Sequence, residues 1–161
     1  MVTYAYTIAG SEATGGAGFQ VDLKTFHELG CYGLGTLTCI VSFDPADGWN
    51  HKFVPVESGV ISDQMRAAMS HANLDTVKIG MLGTVPTIDA VAEGLKSQEW
   101  KNIVVDPVLI CKGQEPGMAL DTDNALREKI LPLATVATPN YFEACTLAGM
   151  DKLETLEDLA E

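Results

Sequence analysis

Basic side chains are scarce in this sequence. Ten Lys and Arg stand against 22 Asp and Glu, for a formal net charge of −12. That balance excludes a protein that grips a nucleic-acid backbone, which needs a basic surface. It also means that any phosphate-bearing ligand must be met by local donors or by a metal ion. No apolar run approaches the ~20 residues of a membrane-spanning helix, and no basic stretch precedes the first apolar segment as in a secretory leader. The expectation is a cytoplasmic protein with no membrane partner. The four cysteines, Cys31, Cys39, Cys111 and Cys145, form no Cys-x-x-Cys pair and have no zinc spacing. They are expected as reduced thiols. Cys31, Cys39 and Cys145 lie among apolar neighbours as small core residues, whereas Cys111 sits in a loop with Gly and Lys. Internal repeats, low-complexity tracts and linkers are also missing.

What is present is a single domain's worth of chain: 161 residues, 47% hydrophobic and 20% charged, enough for a real core. Strand-like and helix-like segments alternate. Residues 4–10, 34–43, 52–56, 75–81, 102–105 and 134–137 read as strands. Helices are expected over 58–73, 87–98, 122–131 and 140–148, with the start of another at 151–161. The first helix follows the glycines at 15–18 and carries Phe19, Leu23, Phe26 and Leu29 on one face, with Gly30 at its C-terminal end. The second should turn Val60, Ile61, Met65, Ala68 and Met69 inward. Strands this apolar are covered on both faces, which predicts an α/β fold with a mostly parallel sheet between helical layers. Ligands of such sheets bind beyond the C-terminal ends of the strands. Gly10-Ser11, Gly80-Met81 and Asp106-Pro107 all occupy such ends.

The stretch Ser11-Glu12-Ala13-Thr14-Gly15-Gly16-Ala17-Gly18 joins the first strand to the first helix. Its glycines let a ligand approach the backbone, and the helix start offers N–H groups to a polar or anionic group. The order is neither the dinucleotide Gly-x-Gly-x-x-Gly nor a P-loop, since no Lys-Ser/Thr follows. Taken alone, the glycines fit a tight turn without a ligand equally well.

Thr7-Ile8-Ala9-Gly10-Ser11, then Gly15-Gly16-Ala17-Gly18-Phe19-Gln20-Val21-Asp22-Leu23-Lys24-Thr25-Phe26, resembles the opening of the hydroxymethylpyrimidine kinases. The pyridoxal kinases of the same branch of the ribokinase superfamily share it. The likeness continues through Lys78-Ile79-Gly80-Met81-Leu82, Asp106-Pro107-Val108 and Thr138-Pro139-Asn140-Tyr141-Phe142-Glu143-Ala144, and so spans nearly the whole sequence in order. Glu12 departs from it, standing where the family usually has Asp. The resemblance implies a three-layer αβα ribokinase-like fold, ATP as phosphate donor with Mg²⁺, and a homodimer. It also implies a glycine-rich Gly-x-Gly-Cys or Gly-x-Gly-Asp turn that bears the anion hole and the base. No such turn occurs here, and Glu154–Glu161 reads as a helix cut before its end. Residues 1–161 are therefore expected to be the substrate-binding portion of one kinase domain, truncated at its C-terminus and inactive alone.

The family likeness places Gly10, Ser11, Gly16, Gly18, Gly80, Met81 and Val108 around the substrate. Asp106, at a strand end before Pro107, would hold Mg²⁺ or a metal-bound water; an aspartate capping the next turn has the same appearance. Asn140 and Glu143 share a helix face, and the family assigns such a pair to nucleotide phosphates and metal. An N-cap with its capping-box partner explains them as well. Phe43 stands where hydroxymethylpyrimidine kinases usually carry Gln. With the Asp-Pro…Trp-Asn-His run ending at His51, it matches the pyridoxal kinases, and His51 would bond a ring substituent if it is not simply solvated. Cys111, beside Lys112 in the Cys-Lys-Gly run of a lid-like loop, would form a hemithioacetal with an aldehyde substrate, Lys112 favouring the thiolate and facing phosphate. An incidental loop cysteine is the alternative. The implied activity is ATP-dependent phosphorylation of the 5′-hydroxymethyl group of a vitamin B6 compound. The rivals are a hydroxymethylpyrimidine (phosphate) kinase and a non-catalytic vitamer-binding module.

Overall fold

A computed structural model of the chain describes residues 2–109 and 116–150, the side chains of 116–119 excepted. Cys111, Lys112 and the helix expected at 151–161 lie outside the described residues. Six strands, β1 (Thr3–Glu12), β2 (Cys31–Asp44), β3 (Asn50–Pro55), β4 (Thr76–Ile79), β5 (Asn102–Val105) and β6 (Val136–Ala137), form one sheet in the order β3-β2-β1-β4-β5-β6. Every neighbouring pair is parallel except β2 with β3. That pair is a hairpin, turned by a short 3₁₀ segment, Pro45–Asp47. Its registry sets Phe43 opposite His51 and Asp44 opposite Asn50.

Helix α1 (Gly18–Glu28) packs on β1 and β2 from one side, whereas α2 (Ser58–His71), α3 (Val85–Lys96) and α4 (Pro116–Lys129) pack against one another in series. The αβα layering expected from strand apolarity is thus present. The main core lies under α2–α4, where Tyr6, Ile8, Val77, Ile79 and Val105 of the sheet are fully buried together with Ile61, Ile88, Val91 and Ile130. Side chains of this size contribute roughly 1.5–3 kcal/mol each on burial. The phenol of Tyr6 is satisfied inside this core by Thr36 Oγ1 at 2.5 Å, its ring stacks on Trp100, and burial pushes its pKa up to about 12.

Several boundaries differ from the sequence expectation, for local reasons. Leu29 is the C-cap of α1 and is 74% exposed, because the stripe of Phe19, Leu23 and Phe26 ends one turn earlier. Those three rings and side chains lie over Gly33 and Gly35 of β2, where any Cβ would collide with them. Val60 is exposed, since Ile61, Met65 and Ala68 define the buried stripe of α2 and Val60 lies off it. Helix α4 starts at Pro116, not near 122: proline suits a first helical position, where its missing N–H is not needed. Cys39 and Cys145 are buried as expected, but Cys31, at the mouth of β2, is half-exposed.

Candidate active site

The C-terminal ends of β1, β4 and β5 converge with the hairpin of β2 and β3 on a cavity of about 460 Å³. β1 contributes Gly10, Ser11 and Glu12, and the following turn contributes Ala17 and Gly18. The hairpin supplies an aromatic wall of Phe43, Trp49 and His51. Lys78 and Met81 come from the end of β4, Asp106 and Val108 from the end of β5. Parallel strands that stop together leave this kind of crevice, because the helices following them diverge to either face.

The glycine turn is built by its own carboxylate. Glu12 accepts hydrogen bonds from the Thr14 N–H at 2.6 Å, the Thr14 hydroxyl at 2.7 Å and the Gly16 N–H at 3.0 Å. These donors, the Thr14 amide foremost, hold the Glu12 carboxyl below the usual range. The Thr14, Gly15 and Gly16 N–H groups of the turn are therefore already engaged by Glu12, and the turn is a preformed wall. Lys24 closes it from outside by donating to the Gly15 carbonyl at 3.0 Å. Gln20 fixes the strand end, donating to Ser11 Oγ at 2.7 Å while accepting from the Glu12 N–H at 3.1 Å. Gly18 has φ +64, and a Cβ there would stand 2.4 Å from the Gly10 carbonyl oxygen, so helix and strand end meet only through glycine.

On the far wall Phe43 and His51 meet edge to face, with ring centroids 6.1 Å apart. Trp49 completes this wall at φ 63, the one non-glycine residue in the left-handed region among those described. Its N–H donates to the Asp44 carbonyl at 2.9 Å, and Asp44 in turn caps the 3₁₀ segment through the Ala46 N–H at 2.9 Å. The hairpin tip is thus hydrogen-bonded into a shape that keeps its rings over the cavity.

Charge enters from the floor. Lys78 Nζ lies 3.4 Å from Asp106 Oδ2 and 3.2 Å from Asp22 Oδ2. It is the only Lys or Arg among the described residues lining the cavity. The Asp106 side chain is 40% exposed at the strand end.

The structure brings together most, but not all, of the residues expected from the sequence. Gly10, Ser11, Gly18, Phe43, His51, Met81, Asp106 and Val108 share the cavity. Gly16 lines an adjoining recess with Thr14 and Trp49. Gly80 does not line the cavity: it is buried, and its N–H is bound to the Ile8 carbonyl at 2.9 Å. Asn140 and Glu143 do not line it either. They form a full capping box at the start of α5 (Tyr141–Ala148), with the Glu143 N–H on Asn140 Oδ1 at 3.0 Å and the Asn140 N–H on Glu143 Oε2 at 2.8 Å. Glu143 is 7% exposed. Sequence reasoning gave no role to Lys78, to Glu12 or to Trp49. The signal for Lys78 was available: a lone charge in the otherwise apolar strand Val77-Lys78-Ile79.

Comparison with known proteins agrees with this geometry. The chain is 46% identical over 157 residues to the pyridoxine kinase of Bacillus subtilis, covering 98% of this chain and 58% of that protein. It is 34% identical to the hydroxymethylpyrimidine/phosphomethylpyrimidine kinase of Escherichia coli, with the same coverage. The ADP complex of Bacillus subtilis pyridoxal kinase superposes with a TM-score of 0.91 at 46% identity, over 98% of this chain and 59% of that one. The pyridoxal kinase of Staphylococcus aureus in complex with AMP-PCP and pyridoxal gives 0.87 at 40% identity, over 99% and 56%. The chain thus spans a little under three fifths of the length of the proteins it matches. Residues 12–161 match the family described as phosphomethylpyrimidine kinase, and on that match the chain belongs to this family.

Proposed function

We propose that these residues form the substrate pocket of a kinase that phosphorylates the 5′-hydroxymethyl group of pyridoxal, pyridoxine or pyridoxamine with ATP. The observation that carries this reading is the aromatic wall. Phe43 and Trp49 offer area to a pyridine ring, and Phe43 cannot make the paired hydrogen bonds an aminopyrimidine needs. A site lacking such a partner discriminates strongly against that substrate. The relatives support the same choice, with the pyridoxine kinase more similar than the pyrimidine kinase. The rival pyrimidine kinase is disfavoured by Phe43. A non-catalytic vitamer-binding module remains the reading from another class.

In the reaction the hydroxymethyl oxygen bonds to the γ-phosphorus as the bridge to the β-phosphate breaks, and the hydroxyl proton leaves to a base that no residue of 1–161 is assigned to be. Alignment and charge stabilisation carry most of such a transfer. The pocket of 1–161 supplies alignment: the glycine turn and the hairpin hold the ring on two sides, and Met81 and Val108 fit its apolar edges. Magnesium ions are commonly held by one or two carboxylates together with substrate phosphates and water, and the exposed Asp106 carboxylate fits that donor set. Bound there, Mg²⁺ would neutralise developing phosphate charge. Asn140, Glu143 and Lys112 are assigned to the phosphate side. Cys111 is assigned to reversible hemithioacetal formation with pyridoxal. A cytoplasmic homodimer is part of the same proposal. Among the described residues no helix is long and apolar enough to cross a membrane.

The deciding experiment compares turnover of pyridoxal and hydroxymethylpyrimidine by the full-length protein, and repeats it with residues 1–161 alone. The expected result is preference for pyridoxal by the former and vitamer binding without phosphate transfer by the latter. Better use of the pyrimidine overturns the substrate assignment, and binding without any turnover by the full-length protein selects the non-catalytic module.

A further inference from the structure

Beneath the cavity runs a chain of polar contacts that crosses three elements. The Thr7 hydroxyl on β1, fully buried, donates to Asp22 Oδ2 on α1 at 2.6 Å. The same Asp22 oxygen receives Lys78 Nζ of β4 at 3.2 Å, and Lys78 reaches Asp106 Oδ2 at 3.4 Å. Asp22 does not line the cavity, and its side chain is only 12% exposed, against 40% for Asp106. Gly80 makes the room: a Cβ at that position would stand 2.9 Å from the Lys78 ammonium and 3.1 Å from Ala9 Cβ.

We propose that Asp22 is a positioning residue that shares Lys78 with Asp106 and thereby leaves the Asp106 charge only partly compensated toward a divalent cation. The inference rests on the metal role assigned to Asp106 above. Its physical basis is the near equality of the two ion-pair distances. One ammonium between two carboxylates leaves a net single negative charge, and the less exposed, threonine-bonded Asp22 is the fixed partner. The uncompensated charge is therefore exposed at Asp106. Remove Asp22's charge, and Lys78 is free to pair with Asp106 alone, cancelling the group that would meet the metal. Remove Lys78, and Asp106 is left fully charged. The two changes thus push cation affinity in opposite directions, a pattern that loss of packing does not produce.

The test reads Mn²⁺ in place of Mg²⁺, by the loss of the free-ion electron paramagnetic resonance signal, in the full-length protein saturated with AMP-PCP. Asp22→Asn keeps the shape and the Thr7 hydrogen bond; it should weaken Mn²⁺ binding about five-fold, the order expected when one ammonium moves from a shared position wholly onto Asp106 in a half-solvated site. Lys78→Met should tighten binding by a similar factor, and Lys78→Gln serves if the methionine variant does not fold. In either Lys78 background, adding Asp22→Asn should change the affinity less than two-fold, since Asp22 then has no lysine to hold back. An unchanged affinity in Asp22→Asn, or an equal effect with and without Lys78, overturns the sharing. Asp106→Asn is the separate control: if it leaves Mn²⁺ binding intact, the metal assignment itself falls, and the inference with it.

Discussion

Replacing Gly18 by alanine should damage this protein far more than replacing Gly30, and the difference measures how tightly the cavity wall is built. Both residues have positive φ, +64 and +75, so both variants incur the left-handed penalty of about 1–2 kcal/mol for a residue with a Cβ. At Gly30 nothing lies within 4 Å of the added carbon, and that penalty is the whole effect. At Gly18 the added carbon meets the Gly10 carbonyl oxygen at 2.4 Å, against the 3.0 Å below which such contacts essentially never occur. Strand end and helix start must separate by more than half an ångström, and overpacking of this kind costs about 1–3 kcal/mol more. With roughly 2–4 °C per kcal/mol for a chain of this size, Gly30→Ala should melt ~2–8 °C lower and Gly18→Ala ~4–20 °C lower. Calorimetry of both variants under one condition gives the comparison, and titration with pyridoxal completes it. Gly10 and Gly18 line the cavity, so Gly18→Ala should also bind pyridoxal more weakly, whereas Gly30→Ala should bind it as the parent does. Equal melting temperatures, or unimpaired pyridoxal binding by Gly18→Ala, would refute the idea that this close backbone approach shapes the site.

Phe43→Gln should move substrate preference from pyridoxal toward hydroxymethylpyrimidine, read as the ratio of kcat/KM values; an unchanged ratio removes Phe43 from the specificity argument. Cys111→Ala should weaken binding of pyridoxal but not of pyridoxine, which has no aldehyde, and equal losses would exclude the hemithioacetal. Glu12 has its carboxyl held below the ordinary value of 4.5 by the turn it caps. Its stabilising contribution is therefore complete above about pH 4.5 and is lost as pH falls through the lower folded value. The amide resonances of Thr14 and Gly16 should titrate with a midpoint below 4.5 and stop doing so in Glu12→Gln; a midpoint at or above the ordinary value contradicts the clamp. Asp106→Asn should lower turnover by ~10²–10³ while leaving pyridoxal affinity nearly unchanged, as measured by steady-state kinetics beside direct titration.

The layered fold was legible because its signals are local. Runs such as Tyr6–Ala9 and Val77–Ile79 are too apolar to be exposed on either face, and Gly30 and the capping residues punctuate the helices between them. The residues at strand ends were legible too, since Gly10, Met81 and Asp106 fall where each apolar run stops. What stayed hidden depends on pairing across the chain. Nothing in the vicinity of Asp22 on α1 announces that it meets Lys78 of β4, and nothing near Glu12 announces that its side chain folds back on Thr14 and Gly16. Asn140 and Glu143 show the opposite case. Their spacing spelled a capping box, the box is formed, and its hydrogen bonds direct both side chains to their own helix end. Leu29 shows the limit of periodicity, which fixes a face but not where along the helix the cover ends, and Val60 shows that the edge of a face is not fixed by it either.

The position of β1 also bears on how the chain is made. It precedes the other five described strands in the sequence, yet it lies inside the sheet, between β2 and β4. Its Tyr6, Ile8 and Ala9 are fully buried in the finished fold. One flank closes early, when α1 and β2 follow and complete a compact βαβ unit. The other cannot close until Thr76–Ile79 has been added. At a synthesis rate of about 5–20 residues per second, that second partner arrives several seconds after the first strand. During that interval a nascent chain presents an open, apolar strand edge of the kind that invites pairing with another molecule. The antiparallel hairpin of β2 and β3, complete before β4 exists, covers the other flank of β2, so that β1 is the strand left waiting for its second neighbour.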